Sequence, residues 1–251
     1  FSHHQLDSNG SLRHASQHLF DPVEEFPNFS TLRALKEAVE ADSGSVVHWW
    51  DHERTVLREV RDQLGASPDG EVPDRAELVR FVDDLLGADG ASGRLFDLGR
   101  LVHRTAFFPG TDGSSSLKKV LPALLLSSPY LQQRYASPIY GAAGGISSLN
   151  FCDQSWIHSD GHGGIVDPYK LLGQRIDDPD LAGLELLEDD DEVVANGGAA
   201  MVAYGLLQGG QLGEAGKAQL RDQLLRYCEL DTLAMVMAWQ GLNDLLLSVP
   251  K

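Results

Sequence analysis

Short runs of β-branched and aromatic residues that lead directly into amphipathic segments are the feature that most constrains the fold of this chain. Residues Ser45 to Trp49 predict a buried strand, and residues Thr55 to Leu64 return to the helical spacing of apolar side chains. A second strand-to-helix junction is predicted at Arg94 to Leu98. Strands that alternate with helices in this way indicate an α/β fold.

The first residues predict a hairpin. Residues 1–6 and 11–14 resemble two short strands around Asn9-Gly10, a pair that tolerates the positive φ angles of tight hairpin turns. We therefore expect part of the sheet to be antiparallel, which gives a mixed sheet flanked by helices. The start at Phe1 is typical of the middle of a strand, so we expect the chain to be the C-terminal part of a longer protein, with an upstream domain as a partner.

Apolar spacing and helix-end signals predict several further helices. Residues 20–29 are interpreted as a loop, with Asn28 or Ser30 as the cap of a helix over 32–40. Asp74 is predicted to cap the next helix, which Gly87 ends. Later helices are expected over 117–125, 197–207 and 218–247.

The segment 127–191 has the least regular pattern of the chain. Glycine and proline are scattered along it, and it ends in the acidic run 188–192. We interpret it as an insertion on the surface of a single domain that spans residues 1–251.

Composition limits the classes of function. The chain has 20 Lys and Arg against 37 Asp and Glu, a net charge of −17, which disfavours broad electrostatic binding to nucleic acid. A nuclease that meets its substrate through divalent cations in one cleft stays possible. Two cysteines cannot form a disulfide framework, and no apolar run reaches the roughly 18 residues of a membrane span. We expect a cytoplasmic protein without a membrane partner.

Tyr227 and Asp231 are candidate catalytic residues. They are four residues apart in a predicted helix and therefore share one face. A carboxylate one turn after a phenol can hold a divalent cation while the hydroxyl orients a water molecule. The alternative is a partly buried tyrosine beside a solvated aspartate.

Glu53 is a candidate for the same kind of chemistry. It begins a predicted helix after a buried strand, and side chains at such a junction can reach a cleft at the edge of the sheet. The alternative is an acid that the helix dipole favours at the N-terminus, with Asp51 as the N-cap.

A local cluster of donors forms a third candidate site. Arginine, lysine and hydroxyl side chains of this kind suit contacts with phosphate, especially beside a helix N-terminus. The alternative is that the aspartate caps a helix and the lysines are solvated. The candidate substrate-binding residues are Asp97, Arg100, Ser116, Lys118 and Lys119.

These segments together resemble the DnaQ-like, DEDD-type 3′–5′ exonucleases, in the variant whose third motif carries a tyrosine. Tyr227 to Asp231 resembles that third motif, and Ser45 to Trp49 followed by Glu53 resembles the second. The order of segments is also similar to a bacterial domain-of-unknown-function family within that superfamily. Its members share Gly-Ser-Xaa-Ser-Leu-Lys-Lys-Val-Leu-Pro, here Gly113 to Pro122, and Tyr-Cys-Xaa-Xaa-Asp-Thr-Xaa-Ala-Met, here Tyr227 to Met235.

The resemblance, which covers most of the chain except 127–191, implies an RNase H-like fold and phosphodiester hydrolysis. It also implies two Mg²⁺ or Mn²⁺ ions held by four carboxylates, with one metal-bound water attacking phosphorus. Asp231 and Glu53 would then be metal ligands, and Tyr227 would orient the attacking water. The implied substrates are DNA or RNA 3′ ends.

Two positions depart from the family pattern. Glu53 stands where the second motif normally has Asp, and the first motif, Asp-Xaa-Glu on the first strand, is not found before Trp49. Asp51-His52-Glu53 has that spacing and is an alternative first motif, although the helix predicted after it favours the second-motif assignment. On that assignment the first strand precedes Phe1, and this fragment should be inactive by itself. The alternative function is a catalytically degenerate nuclease-fold module that binds a protein or nucleic-acid partner.

Overall fold

The structure, a computed structural model, describes residues 1–20, 26–87, 92–172, 203–208 and 212–247. The chain divides into two compact units. The first unit comprises Phe1 and residues 20–123, and the second comprises residues 2–19 and 124–251. The expectation of one RNase H-like domain over residues 1–251 stays a prediction.

Helices and short strands share the chain, which confirms the predicted α/β class. In chain order the elements are β1 (Ser2–Leu6), β2 (Leu12–Gln17), α1 (Pro27–Val39), β3 (Val46–His48), α2 (His52–Ala66), α3 (Arg75–Leu86), β4 (Leu95–Asp97), α4 (Leu98–Thr105), α5 (Leu117–Ser127), α6 (Pro129–Tyr135), the 3₁₀ helix η1 (Pro168–Leu172) and α7 (Glu214–Leu247). Residues 203–208 are also helical.

The predicted hairpin is present in the second unit. β1 and β2 pair antiparallel, with Leu6 opposite Leu12 at the turn. Gly10 has a φ of 82°, and the Asp7 amide donates to the Ser11 carbonyl oxygen at 2.9 Å. Gly10 therefore adopts the positive φ that the pair tolerates, whereas Asn9 does not and instead accepts the Ser11 amide at its Oδ1, at 2.8 Å.

β3 and β4 form a parallel pair in the first unit, with His48 opposite Asp97 in the last register position. Each strand is followed by a helix, α2 after β3 and α4 after β4. Both strand-to-helix junctions are confirmed, and the carboxyl ends of the two strands lie at one edge. The described strands form two separate two-stranded sheets, so the RNase H-like mixed sheet stays a prediction.

Three helices supply one apolar cluster of the first unit. α2 buries Leu57, Val60 and Leu64 at the helical spacing that the sequence predicts. Leu64, Leu78 and Val82 are at most 1% exposed. α1, α2 and α3 therefore pack around one cluster, which supports the β3–β4 edge of the same unit.

The start of α1 differs from the expectation. The helix begins at Pro27, with Phe26 as the N-cap residue, so the predicted loop over 20–29 is too long and neither Asn28 nor Ser30 caps it. A proline fits the first helical position because its missing N–H has no partner there in any helix. The Asn28 side chain instead donates to Gln63 Oε1 at 2.8 Å.

Asp74 is the N-cap residue of α3, as predicted, and Gly87, with a φ of 82°, ends the helix. The Asp74 carboxylate makes no cap hydrogen bond. It accepts Arg33 Nε at 2.7 Å and Nη2 at 2.8 Å, and these charged hydrogen bonds lower the pKa of Asp74 despite its partial burial. The Asp74 carboxylate therefore binds Arg33 in place of the capping hydrogen bond that the sequence predicts.

The described part of the expected surface insertion differs most from the prediction. Within residues 127–172, Tyr135, Tyr140 and Trp156 are completely buried, and Tyr169 is 2% exposed. Backbone hydrogen bonds in both directions between Tyr140 and Gln154, at 2.7 and 3.2 Å, hold the loop. This irregular segment is therefore part of the core of the second unit. Its contribution is large, because buried aromatic side chains dominate core energetics.

Several expectations fall on residues outside the described ranges. They include the remainder of the insertion, its acidic run 188–192, and most of the helix predicted over 197–207. The long final helix is confirmed, although it begins at Glu214, four residues earlier than predicted. No helix among the described residues has the length and apolar character to cross a membrane.

Candidate functional site

A polar cleft opens at the carboxyl ends of β3 and β4 in the first unit. We call it the strand-end cleft; its volume is about 490 Å³. Two of its residues, Asp51 and Asp97, precede helices α2 and α4, and the others project from the first two turns of those helices. It is lined by Asp51, Arg54, Thr55, Arg58, Asp97 and Arg100.

Asp97 has a structural role in this cleft. Its Oδ1 accepts the Arg100 amide at 2.7 Å and the Trp50 amide at 3.3 Å, so it caps α4 and ties the β3–α2 connection to it. Its Oδ2 lies 3.4 Å from Arg100 Nε. The helix-cap alternative for Asp97 is confirmed, and a role in binding substrate stays a prediction.

The guanidinium groups of the cleft have unequal partners. Arg100 Nη2 donates to Asp51 Oδ2 at 2.5 Å, so the negative charge of Asp51 neutralises the positive charge of Arg100. Arg54 Nη2 donates to the neutral carbonyl oxygen of Leu86 at 3.3 Å. Arg58 is exposed and, among the described residues, has no carboxylate partner. The cleft therefore keeps cationic groups whose charge is not neutralised locally.

The junction beneath the cleft is tight and strained. Trp50 has a φ of 66°, a conformation that a bulky side chain rarely adopts. A Cβ on Gly99 would lie 3.0 Å from both Trp49 Cδ1 and the Trp50 amide nitrogen. Gly99 is therefore needed for the close approach of α4 to the β3–α2 connection.

Glu53 lies in the first turn of α2, as predicted, beside His48. Its Oε2 is 3.7 Å from His48 Nδ1, and its side chain is 48% exposed, whereas the His48 side chain is 2% exposed. Burial lowers the pKa of His48, but Glu53, the Trp50 carbonyl oxygen and Asp97 raise it more, so its pKa lies above the ordinary value. The structure thus pairs Glu53 with a buried imidazole.

Ser116, Lys118 and Lys119 lie at the start of α5. The Ser116 carbonyl oxygen accepts the Lys119 amide at 3.0 Å, Lys118 is half-buried and Lys119 is exposed. The lining of the strand-end cleft does not include these three residues. Ser115 makes the contact with the β3 junction, since Trp49 Nε1 donates to its carbonyl oxygen at 3.0 Å. Substrate contacts by the two lysines stay a prediction.

Tyr227 and Asp231 lie on one face of α7 in the second unit, and a residue that the sequence did not indicate joins them. The Tyr169 hydroxyl donates to Asp231 Oδ1 at 2.6 Å, and the Tyr169 and Tyr227 rings are 6.1 Å apart. Burial, followed by the charge of Asp231, raises the pKa of both phenols. Both hydroxyls therefore stay protonated at neutral pH.

A second polar cluster, the Glu229 network, is enclosed in the same unit. The Glu229 carboxylate, 0% exposed, has hydrogen-bond partners at both oxygens. Oε1 accepts the hydroxyls of Tyr140 and Ser148 at 2.5 Å and lies 3.0 Å from His14 Nδ1. Oε2 accepts the Asn150 amide at 3.1 Å and its Nδ2 at 2.6 Å.

The network changes how its acid and base titrate. Burial raises the pKa of Glu229, but the hydrogen bonds from His14, Ser148 and Tyr140 outweigh it and bring the pKa to about 2. Burial, with the neighbouring His14, lowers the pKa of His4 to about 3. At neutral pH Glu229 is therefore charged and His4 is neutral.

One sequence signal could have indicated Glu229. It is four residues before Leu233 and eight before Met237, which places a carboxylate on an apolar stripe of α7. A charge on such a stripe predicts a buried group with partners, because a buried charge without them is costly. Its partners come from the hairpin and from residues 140–150, which no local pattern connects to α7.

The described residues do not by themselves fit the predicted metal centre. No three His, Cys, Asp or Glu side chains within the described ranges lie close enough to hold one ion. The two predicted ligands belong to different units, Glu53 to the first and Asp231 to the second. Dependence on Mg²⁺ or Mn²⁺ stays a prediction of the family resemblance.

Comparison with known proteins adds no relative. No family model matches the chain, and neither the curated proteins nor the solved structures contain a significant match. Function must therefore be inferred from the chemistry of these sites together with the motifs in the sequence.

Proposed function

We propose that this chain is a 3′–5′ exonuclease-like module that hydrolyses phosphodiester bonds at DNA or RNA ends. The observation that carries the proposal is the arrangement of Tyr227 and Asp231 on α7. Tyr169 donates to Asp231 Oδ1 at 2.6 Å, so the carboxylate is held in one orientation beside a phenol one turn earlier. That arrangement agrees with the resemblance of Tyr227 to Asp231 to the third motif of the DEDD-type enzymes.

The side chains have complementary tasks in such a reaction. The raised pKa of Tyr227 keeps its hydroxyl protonated, so it can donate a hydrogen bond to a water molecule and orient it. The Asp231 carboxylate lies on the same face of α7 as Tyr227 and accepts the hydroxyl of Tyr169. It thus presents its negative charge beside two protonated phenols. Tyr169 acts through Asp231 and is a positioning residue.

Glu53 supports the same proposal from the first unit. It begins α2 directly after β3, the order that the second motif of the family requires. Its longer side chain stands half-exposed, so it is accessible to a ligand. Its role as the second-motif acid remains part of the proposal.

Two observations favour a second candidate, a nuclease-fold module that binds a partner without cleaving it. The described ranges contain no group of three potential metal ligands. The net charge of −17 also disfavours broad electrostatic contact with nucleic acid. The two candidates differ in one result, cleavage.

The test is degradation of 5′-labelled single-stranded DNA and RNA by the full-length protein in Mn²⁺ or in EDTA. We expect a ladder that shortens from the 3′ end, requires the metal and disappears in Asp231→Asn. Tyr227→Phe should lower the rate by about 10²-fold, as expected for loss of a group that assists proton transfer or orients water. Asp222→Asn is the matched control, since Asp222 is exposed on the same helix.

Equal loss in Asp222→Asn and Asp231→Asn would contradict the proposal. Folded wild-type protein that cleaves neither substrate and binds no Mn²⁺ would instead support the binding module. The comparison requires that Asp231→Asn unfold at the wild-type temperature, which circular dichroism measures.

A further inference from the structure

The strand-end cleft concentrates positive charge in a chain whose net charge is −17. Arg54 and Arg58 project into it from α2, and Arg100 projects from α4. We infer that this cleft is a binding site for a phosphate-bearing ligand, with these three arginines as the recognition residues. The inference is independent of hydrolysis at Asp231, because it concerns binding in the first unit alone.

The spacing of Arg54 and Arg58 is unfavourable for α2 itself, although Arg54 donates to the carbonyl oxygen of Leu86, the last residue of α3. They are four residues apart on α2, and like charges at that spacing destabilise a helix by a few tenths of a kcal/mol. Four other arginines of the unit lie close to carboxylates, whereas Arg80 and Arg104 are exposed and have no carboxylate partner among the described residues. The N–O distances are 2.7 Å for Arg33–Asp74, 2.6 Å for Arg61–Asp83, 2.6 Å for Arg75–Asp69 and 3.4 Å for Arg94–Asp42. An anionic ligand would give Arg54 and Arg58 the negatively charged partner that the fold does not provide.

The two carboxylates of the cleft do not cancel this charge. Asp51 is already paired with Arg100 at 2.5 Å. Asp97 accepts backbone amides of Arg100 and Trp50. Arg54 has a neutral carbonyl oxygen as its partner, and Arg58 has no carboxylate partner within the described residues. The surplus charge therefore lies on α2.

The position and chemistry of the cleft suit phosphate. Ligands of open α/β sheets bind outside the carboxyl ends of the strands, where β3 and β4 end. A volume of about 490 Å³ lies within the range of small-molecule sites. Planar guanidinium groups match pairs of phosphate oxygens, and several of them around one cleft favour a multiply charged oxyanion over a carboxylate.

The first experiment titrates inorganic phosphate into the full-length protein by calorimetry at constant ionic strength. We expect saturable binding that Arg58→Ala and Arg54→Ala each weaken about tenfold. Arg58→Lys should lie between wild type and Arg58→Ala, since lysine keeps the charge and loses the planar fork. Arg80→Ala is the matched control, because Arg80 is exposed on α3 and outside the cleft lining.

A second titration identifies the source of the phosphate. A nucleoside 5′-monophosphate and a short oligothymidine each compete with inorganic phosphate if the cleft accepts them. Competition by the oligonucleotide, with an affinity that falls steeply with salt, identifies a nucleic-acid strand. Competition by the mononucleotide alone identifies a free nucleotide. Either result supports the site.

Two results would overturn the inference. One is the absence of saturable phosphate binding by folded wild-type protein, and the other is an equal loss in Arg58→Ala and Arg80→Ala. Failure of the exonuclease assay with phosphate binding intact would contradict only the proposed function. Because Arg58 is exposed, its alanine variant should unfold at the wild-type temperature, which is checked by circular dichroism.

Discussion

The strand-end cleft and the Glu229 network are both groups of charged and polar side chains, yet they differ in how their hydrogen-bonding capacity is used. In the network every carboxylate oxygen of Glu229 has partners, and the acid is 0% exposed. In the cleft, Arg58 is exposed and Arg54 donates to a neutral carbonyl oxygen. The first cluster is closed on itself, and the second has donors left for a ligand.

This difference separates structural from functional polar groups. A buried charge is tolerated only where partners replace the water that it has lost, so Glu229 is part of what holds the hairpin residue His14 to α7. An exposed charge without a partner contributes little to folding. Glu229 is therefore explained by stability, whereas Arg58, which contributes little to folding, is available to the proposed ligand.

The largest expected change in stability comes from a variant of the Glu229 network. Glu229→Ala removes the acceptor of Tyr140, Ser148 and Asn150 and should lower the free energy of unfolding by about 3–5 kcal/mol, as when one member of a buried pair is removed. Chemical denaturation measures the change. Glu59→Ala, an exposed glutamate on α2, should change it by less than about 0.5 kcal/mol. Similar small effects from both variants would show that the network does not support the fold.

A medium change in stability is expected at the junction of α4 with the β3–α2 connection, next to the strand-end cleft. Alanine normally stabilises a helix relative to glycine by about 0.5–1 kcal/mol. Gly65→Ala on α2 should do so, because nothing lies within 4 Å of its Cβ position. Gly99→Ala should have the opposite sign, a loss of about 1–3 kcal/mol, because its Cβ would lie 3.0 Å from backbone and ring atoms.

Denaturation midpoints of the two glycine variants give the signs directly. Stabilisation by both would mean that α4 can move away from the β3–α2 connection. The cleft would then lack the rigid base on which its arginines are placed.

The last prediction compares how the two units respond to acid. The pKa of His4 is lowered from 6.5 to about 3, so its contribution to stability is present above pH 6.5 and is lost as the pH falls toward 3. At pH 5 that loss is about 2 kcal/mol. The pKa of His48 is raised, so its contribution is present below pH 6.5 and is lost as the pH rises through the folded pKa.

Hydrogen exchange resolves this prediction by strand. Between pH 7 and pH 5, after correction for the intrinsic exchange rate, the amides of β1 and β2 should lose protection and those of β3 and β4 should not. Glu229 does not contribute in that window, because its stabilisation is lost only between pH 4.5 and about 2. Removal of the β1–β2 response by His4→Gln would identify the titrating group, and an unchanged response would exclude it.

The candidate sites were predictable where neighbours in the sequence are neighbours in space. Tyr227 and Asp231 share a face because four residues make one helical turn, and Asp97 caps α4 because its amide partner is three residues away. Tyr169 was not predictable, since it is 62 residues from Asp231 in an irregular segment. The partners of Glu229 are even farther away in sequence, at 79 residues for Asn150, 81 for Ser148 and 89 for Tyr140. Periodicity indicates that a helix face is buried but not which residues cover it.

By itself the sequence determined the β1–β2 turn at Asn9-Gly10, the β3–α2 and β4–α4 junctions, and the α/β class, because each depends on backbone preferences and spacing within a few residues. Only the tertiary structure decided that residues 127–172 supply buried core, that Asp74 binds Arg33 and that Arg54, Arg58 and Arg100 line one cleft. Those outcomes depend on competition among distant partners for burial and for charge. That competition is settled when the elements pack, after the local rules have been satisfied.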